Sequence, residues 1–162
     1  NARPVDSGLD EASADSPTRR AGGLIEQGDA DGAVAVLRQA VAAGNAAWRL
    51  HYALGEALLA ARRDEEAIAE FMAVHRLHPA CGKACTAIGR IYLTRGLAEP
   101  ARMWLRFGLD ADESDHDSVS SLAVAELRLG NHEAAEKLLD AWVDAAPESA
   151  VRRFLRIAIL GE

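Results

Sequence analysis

The chain has 162 residues, room for one domain or for an array of small units sharing a core. Hydrophobic residues make up 49% and aromatics 5%, so the apolar content is mostly Ala, Leu and Val, a mix that favours helices over strands. A formal charge of −7 argues against duplex nucleic acid as partner, two cysteines cannot build a disulfide framework, and no apolar run reaches the ~20 residues that cross a bilayer.

Residues 1–13 read as a tag remnant (Asn1-Ala2) followed by a disordered leader rich in Asp and Ser. Only Lys83 and Lys137 are lysines against sixteen arginines, the bias of GC-rich coding familiar from bacteria. From residue 14 the chain is self-similar at a spacing of 34, giving blocks 14–47, 48–81, 82–115 and 116–149 without a gap. The eighth place holds Ala21, Gly55, Gly89 and Ala123; the twentieth holds Ala33, Ala67, Ala101 and Ala135. Short side chains at these places let two helix backbones approach closely.

Each block predicts a helix–turn–helix hairpin. In block one Gly28 ends the first helix and Asp29 caps the second; in block two Arg62 takes the Gly place and Asp64 is the candidate cap. Block three has Gly96 and, within the first turn of its second helix, Pro100; block four has Gly130 and Asn131. Pro79 and Pro147 stop second helices, because the residue before proline is steered out of helical geometry. Residues 150–162 carry Val151, Phe154, Leu155, Ala158 and Ile159 at helical spacing, predicting a capping helix or the start of a fifth repeat.

These columns resemble the tetratricopeptide repeat. Block two is nearest with Leu54-Gly55, Ala67, Phe71 and Pro79; block three follows with Ile88-Gly89, Tyr92, Gly96 and Ala101. The resemblance implies an all-α, right-handed superhelical solenoid of four repeats plus a C-terminal cap, with first helices lining a concave groove. The pattern departs at Glu126, which stands where an aromatic or Leu is usual and predicts a first helix of block four that is rotated or partly exposed.

By the same resemblance the groove is lined by Arg49, Tyr52, Glu56 and Leu59 of block two, by Lys83, Thr86, Arg90 and Leu93 of block three, and by Asp117, Ser120, Val124, Leu127 and Arg128 of block four. Tyr and Arg among apolar side chains suit peptide capture. The clamp for chaperone tails is missing, since the ninth places are Gly22, Glu56, Arg90 and Val124; Lys83 and Arg90, two turns apart, still suit an acidic segment.

His75, His78, Cys81 and Cys85 have metal-like spacing, but match no common zinc module and read first as separate structural residues. The run from Asp110 to Asp117 has the first ligands of a calcium loop but lacks the mid-loop Gly and ends at Ser121 instead of Glu. It reads instead as the joint of blocks three and four, with Asp115 or Asp117 favouring the next helix N-terminus, and its lack of Pro predicts a loose turn. No phosphate loop, nucleophile elbow or catalytic carboxylate pair stands out, and no cofactor is expected.

The expected function is therefore a scaffold binding a protein or peptide in the groove, with no nucleic acid or membrane insertion and with self-association through terminal repeats open. Two alternatives stand: a regulatory or assembly domain of a longer transferase or envelope export machine, and a metal enzyme built on the His/Cys cluster. Cytoplasm, or periplasm after removal of a leader, are both compatible.

Overall fold

The computed structural model describes residues 16–43 and 47–145. Among them are eight α-helices and no strand: α1 (Pro17–Glu26), α2 (Ala30–Ala42), α3 (Trp48–Ala60), α4 (Asp64–Leu77), α5 (Gly82–Thr94), α6 (Ala98–Ala111), α7 (His116–Arg128) and α8 (His132–Ala145). The chain divides into two compact units, Asn1–His78 and Pro79–Glu162, each holding two helical hairpins. The expected leader, Pro147 and the C-terminal cap lie outside the described residues.

In the first unit α1 pairs with α2 and α3 with α4, while α3 also rests on α2 and α1. Small side chains set the spacing. A Cβ on Gly55 would lie 2.6 Å from Cε1 of Phe71, a ring that is itself fully buried. Ala33 and Ala67 are fully buried as well, so the recurring alanines sit where facing helices meet.

In the second unit α5 pairs with α6 and α7 with α8; α7 packs on both α6 and α5. Leu93, Ala101, Leu105, Leu122 and Ala125 form one core and Val119, Ala123, Ala135 and Leu139 another. A Cβ on Gly89 would lie 2.5 Å from Leu105 Cγ, repeating the Gly55–Phe71 contact one hairpin later.

All four hairpin turns share one hydrogen-bond pattern. Asp29 N–H donates to Leu24 O (2.8 Å), Arg63 to Leu58 (2.8 Å), Leu97 to Tyr92 (2.9 Å) and Asn131 to Glu126 (2.9 Å). These six-to-one bonds close the first helix over a left-handed residue, supplied by Gly28, Gly96 and Gly130 at φ 83°, 76° and 79°. In the second hairpin Arg62 takes the same conformation at φ 59°.

Caps follow the sequence unevenly. Asp29 caps α2 by accepting from Gly32 N–H at 2.9 Å. Asp64, by contrast, is the first residue of α4 and Arg63 takes the cap place without a side-chain cap bond. Three acids, Asp64, Glu65 and Glu66, instead meet the positive end of that helix. Asn131 stands before α8 with its C=O accepting from Ala135 N–H at 3.1 Å, but its amide Nδ2 turns to Glu126. Helix α4 stops at Leu77, with His78 extended (φ −145°, ψ 80°) before Pro79.

Candidate functional site

First helices carry the predicted groove residues, and their environments differ. On α3, Arg49 is exposed with its guanidinium 4.9 Å from the Trp48 ring centre, and Glu56 is exposed. Tyr52 is half-buried, meeting Phe71 edge-on at 5.6 Å between centroids, and Leu59 is half-buried. Beneath them His51 Nδ1 and Glu70 Oε2 are 2.7 Å apart, joining α3 to α4.

On α5, Lys83 and Arg90 are exposed and make no hydrogen bond or ion pair with described residues. Two of their predicted companions are not on the surface. Thr86 is 4% exposed and Leu93 8%, so neither lines a groove. Leu93 belongs to the core between α6 and α7. Thr86 is drawn inward by polar partners: its Oγ1 donates to Gly82 O (3.1 Å) or to Asp115 Oδ2 (3.0 Å), and lies 2.5 Å from Ser118 Oγ.

Ser118, fully buried, donates to the same Asp115 oxygen at 2.7 Å, so one carboxylate gathers hydroxyls from α5 and α7. Gly108 makes the space, since a Cβ there would lie 2.7 Å from Thr86 Oγ1 and 2.8 Å from Ser118 Oγ. Asp115 also caps α7 by accepting from Asp117 N–H at 3.2 Å. The preceding turn is held without proline: Asp112 Oδ1 accepts from Ser114 N–H (3.0 Å) and Oγ (2.7 Å). Those bonds, helped by Lys83 and His116, hold the Asp112 carboxyl below its ordinary range. The joint is tied rather than loose.

On α7, Val124 and Leu127 are half-buried, Ser120 is half-buried with its hydroxyl donating to Asp117 O (3.2 Å), and Asp117 is exposed. Arg128 is exposed yet its Nη1 donates to Leu93 O, bridging α7 to the end of α5. Glu126 corrects the sequence expectation. It is 1% exposed, accepting from Asn131 Nδ2 at 2.7 Å, with Arg106 Nη2 at 3.5 Å and Arg102 Nη1 at 3.9 Å. The helix is neither rotated nor exposed; the apolar place is filled by a carboxylate whose charge two arginines of α6 offset.

The His/Cys set does not assemble. Among the described residues no three or more His, Cys, Asp or Glu are placed to share a metal ion. His78 stacks on Trp48 with centroids 4.6 Å apart at 24°, and His75 is half-buried on α4. Both cysteines are free, so there is no Cys81–Cys85 disulfide. Burial, with Cys81 nearby, pushes the Cys85 thiol up to about 11, which keeps it protonated and a poor ligand at neutral pH.

Each unit is thus built of two paired-helix hairpins in an all-α arrangement. Family models described as tetratricopeptide repeat match residues 24–81 and 86–150, and the chain belongs to the tetratricopeptide repeat family. Proteins of this family generally act as non-catalytic interaction scaffolds. No curated protein matches the chain in sequence.

Solved structures agree on the fold. The protein of the structure reported as the functional characterization of Pseudomonas aeruginosa pilF is 18% identical, covering 93% of this chain and 68% of its own, with a TM-score of 0.79. YrrB, described as a TPR protein with an unusual peptide-binding site, is 18% identical over 87% of this chain and 73% of its own, TM-score 0.74. A thermophilic TPR protein of Thermus thermophilus is 18% identical over 94% and 84%, TM-score 0.72. Among the described residues no helix is long and apolar enough to cross a membrane.

Proposed function

We propose that the protein is an interaction scaffold that holds an acidic peptide or helix of a partner against its first helices, with the α5–α7 face as the principal seat. The observation that carries this reading is the pair Lys83 and Arg90, exposed and without an ion pair or hydrogen bond to any described residue in a chain of net charge −7, Lys83 acting on Asp112 only through its field. Five other described cations are paired with carboxylates: Arg38 and Arg63 with Glu66, Arg102 and Arg106 with Glu126, Lys137 with Glu133. At a rise of about 1.5 Å per residue, Lys83 and Arg90 stand roughly 10 Å apart on one face, a spacing that two carboxylates of an extended segment can match. Val124 and Leu127, half-buried on α7, which packs on α5, add apolar surface to the same pair of helices. YrrB, of the same fold, is described as having a peptide-binding site, which makes the reading reasonable without fixing the ligand.

The test is capture of partners from a lysate of the source organism by immobilised protein, followed by mass spectrometry. Wild type is compared with Lys83→Glu/Arg90→Glu and with Tyr52→Ala. Partners seated on α5–α7 should be lost with the double charge reversal, while helical circular dichroism and melting temperature stay unchanged, and their retention should fall with salt. Equal capture by wild type and the double variant moves the site off this face.

A further inference from the structure

The outer side of α1 is shaped like a joint that has not been closed. Arg19, Arg20, Gly23, Leu24 and Gln27 line an open concavity of about 370 Å³ there. A Cβ on Gly23 would meet nothing within 4 Å. Arg19 and Arg20 are exposed and have no ion pair or hydrogen bond with described side chains.

Counting in repeats of 34 identifies this face. Arg20, Gly23 and Leu24 correspond to Leu54, Ala57 and Leu58 of α3 and to Leu122, Ala125 and Glu126 of α7. Those six residues are at most 2% exposed. Leu122 and Ala125 lie against Ala101 and Leu105 of α6, and Glu126 faces Arg102 and Arg106. It is the face by which a first helix receives the second helix of the preceding hairpin.

The same count applied to second helices points to an occupant. Arg102 and Arg106 of α6 correspond to Glu136 and Asp140 of α8, both exposed. At the α6–α7 joint cations on the second helix meet an anion on the first. On α8 acids take the places of those arginines; on α1 Leu24 takes the place of Glu126, and the cations Arg19 and Arg20 stand about one turn before it.

We propose that α1 of one copy of this chain seats on α8 of another, as α7 seats on α6, with Arg19 and Arg20 set against Glu136 and Asp140. The contact joins two different surfaces, so it does not close on itself and extends head to tail. It is independent of the peptide seat on α5–α7, because neither Lys83 nor Arg90 takes part.

Sedimentation velocity of the full chain over a wide concentration range, at low and at physiological salt, tests this. Mass should rise with concentration and the association should weaken as salt rises. Arg19→Glu/Arg20→Glu alone and Glu136→Arg/Asp140→Arg alone should each remain monomeric with unchanged circular dichroism. An equimolar mixture of the two should associate again, because each contact then pairs opposite charges. Wild type that stays monomeric throughout overturns the proposal, and is the result expected if residues 150–160 of the same copy cover α8. Association that ignores both reversals overturns it too.

Discussion

Arg106 Nη2 lies 3.5 Å from Glu126 Oε1, an exposed guanidinium reaching a carboxylate that is 1% exposed. A charge stands where the second repeat buries Leu58 and the third half-buries Tyr92, and it is tolerated because α6 brings two arginines and the turn before α8 brings an amide. Such clusters seldom exceed a well-packed hydrocarbon in stability, since desolvation offsets the attraction. Glu126→Ala is expected to cost about 1–3 kcal/mol through the lost bonds and the void. Glu126→Leu should fall within about 1 kcal/mol of wild type. Denaturant unfolding of both variants decides it; equal losses would mean that the ionic contacts themselves stabilise the joint.

Helix spacing at the hairpins depends on absent side chains. Gly89→Ala gains about 1 kcal/mol of helix propensity, yet its methyl group would meet Leu105 Cγ at 2.5 Å, and Leu105 is fully buried with nowhere to move. Net destabilisation of about 1–3 kcal/mol is expected, read as a lower denaturant midpoint with an unchanged slope. A neutral or stabilising result would show that α5 and α6 can part without loss.

Arg62 is the exception among four turns, holding φ 59° where Gly28, Gly96 and Gly130 stand in the others. A left-handed residue with a Cβ is strained by roughly 1–2 kcal/mol, and glycine gives some of that back through its greater freedom when unfolded. Arg62→Gly should therefore stabilise by about 0.5–1 kcal/mol, seen as a rise in melting temperature. No rise would mean that the exposed arginine contributes something the turn geometry does not reveal.

The two thiols should separate cleanly. Cys85 is fully buried, with its thiol pushed up to about 11, whereas Cys81 is half-buried at the start of α5. Mass-resolved alkylation at neutral pH should label Cys81 first and Cys85 only on unfolding. Because the folded state keeps the Cys85 proton to higher pH than the unfolded chain does, stability should decline between about pH 9 and 11. Matching labelling rates in the folded protein would contradict the packing of α5.

Much of the fold was legible because its signals are local and repeated. Recurring alanines at one place in each hairpin, and glycine at three of four turns, report helix contact and helix end without knowledge of the partner. The surface was less legible. Thr86 and Leu93 occupy places that the family pattern turns outward, but Asp115 and Ser118 draw the first inward and the α6–α7 core absorbs the second. Glu126 read as exposed because its arginines lie in another helix, 20 and 24 positions earlier, and no local pattern links them. His75, His78, Cys81 and Cys85, close in sequence and read first as separate structural residues, do not form a group of three or more that could share a metal ion among the described residues.

The hydroxyls of Thr86 and Ser118 share the Asp115 carboxylate, and this knot fastens the start of α5 to the start of α7. A guest lying across those two helices would find their separation already fixed before it arrives. Little ordering entropy would then be lost in the host, and recognition would rest on how well the guest matches a rigid template rather than on how far the template can adapt.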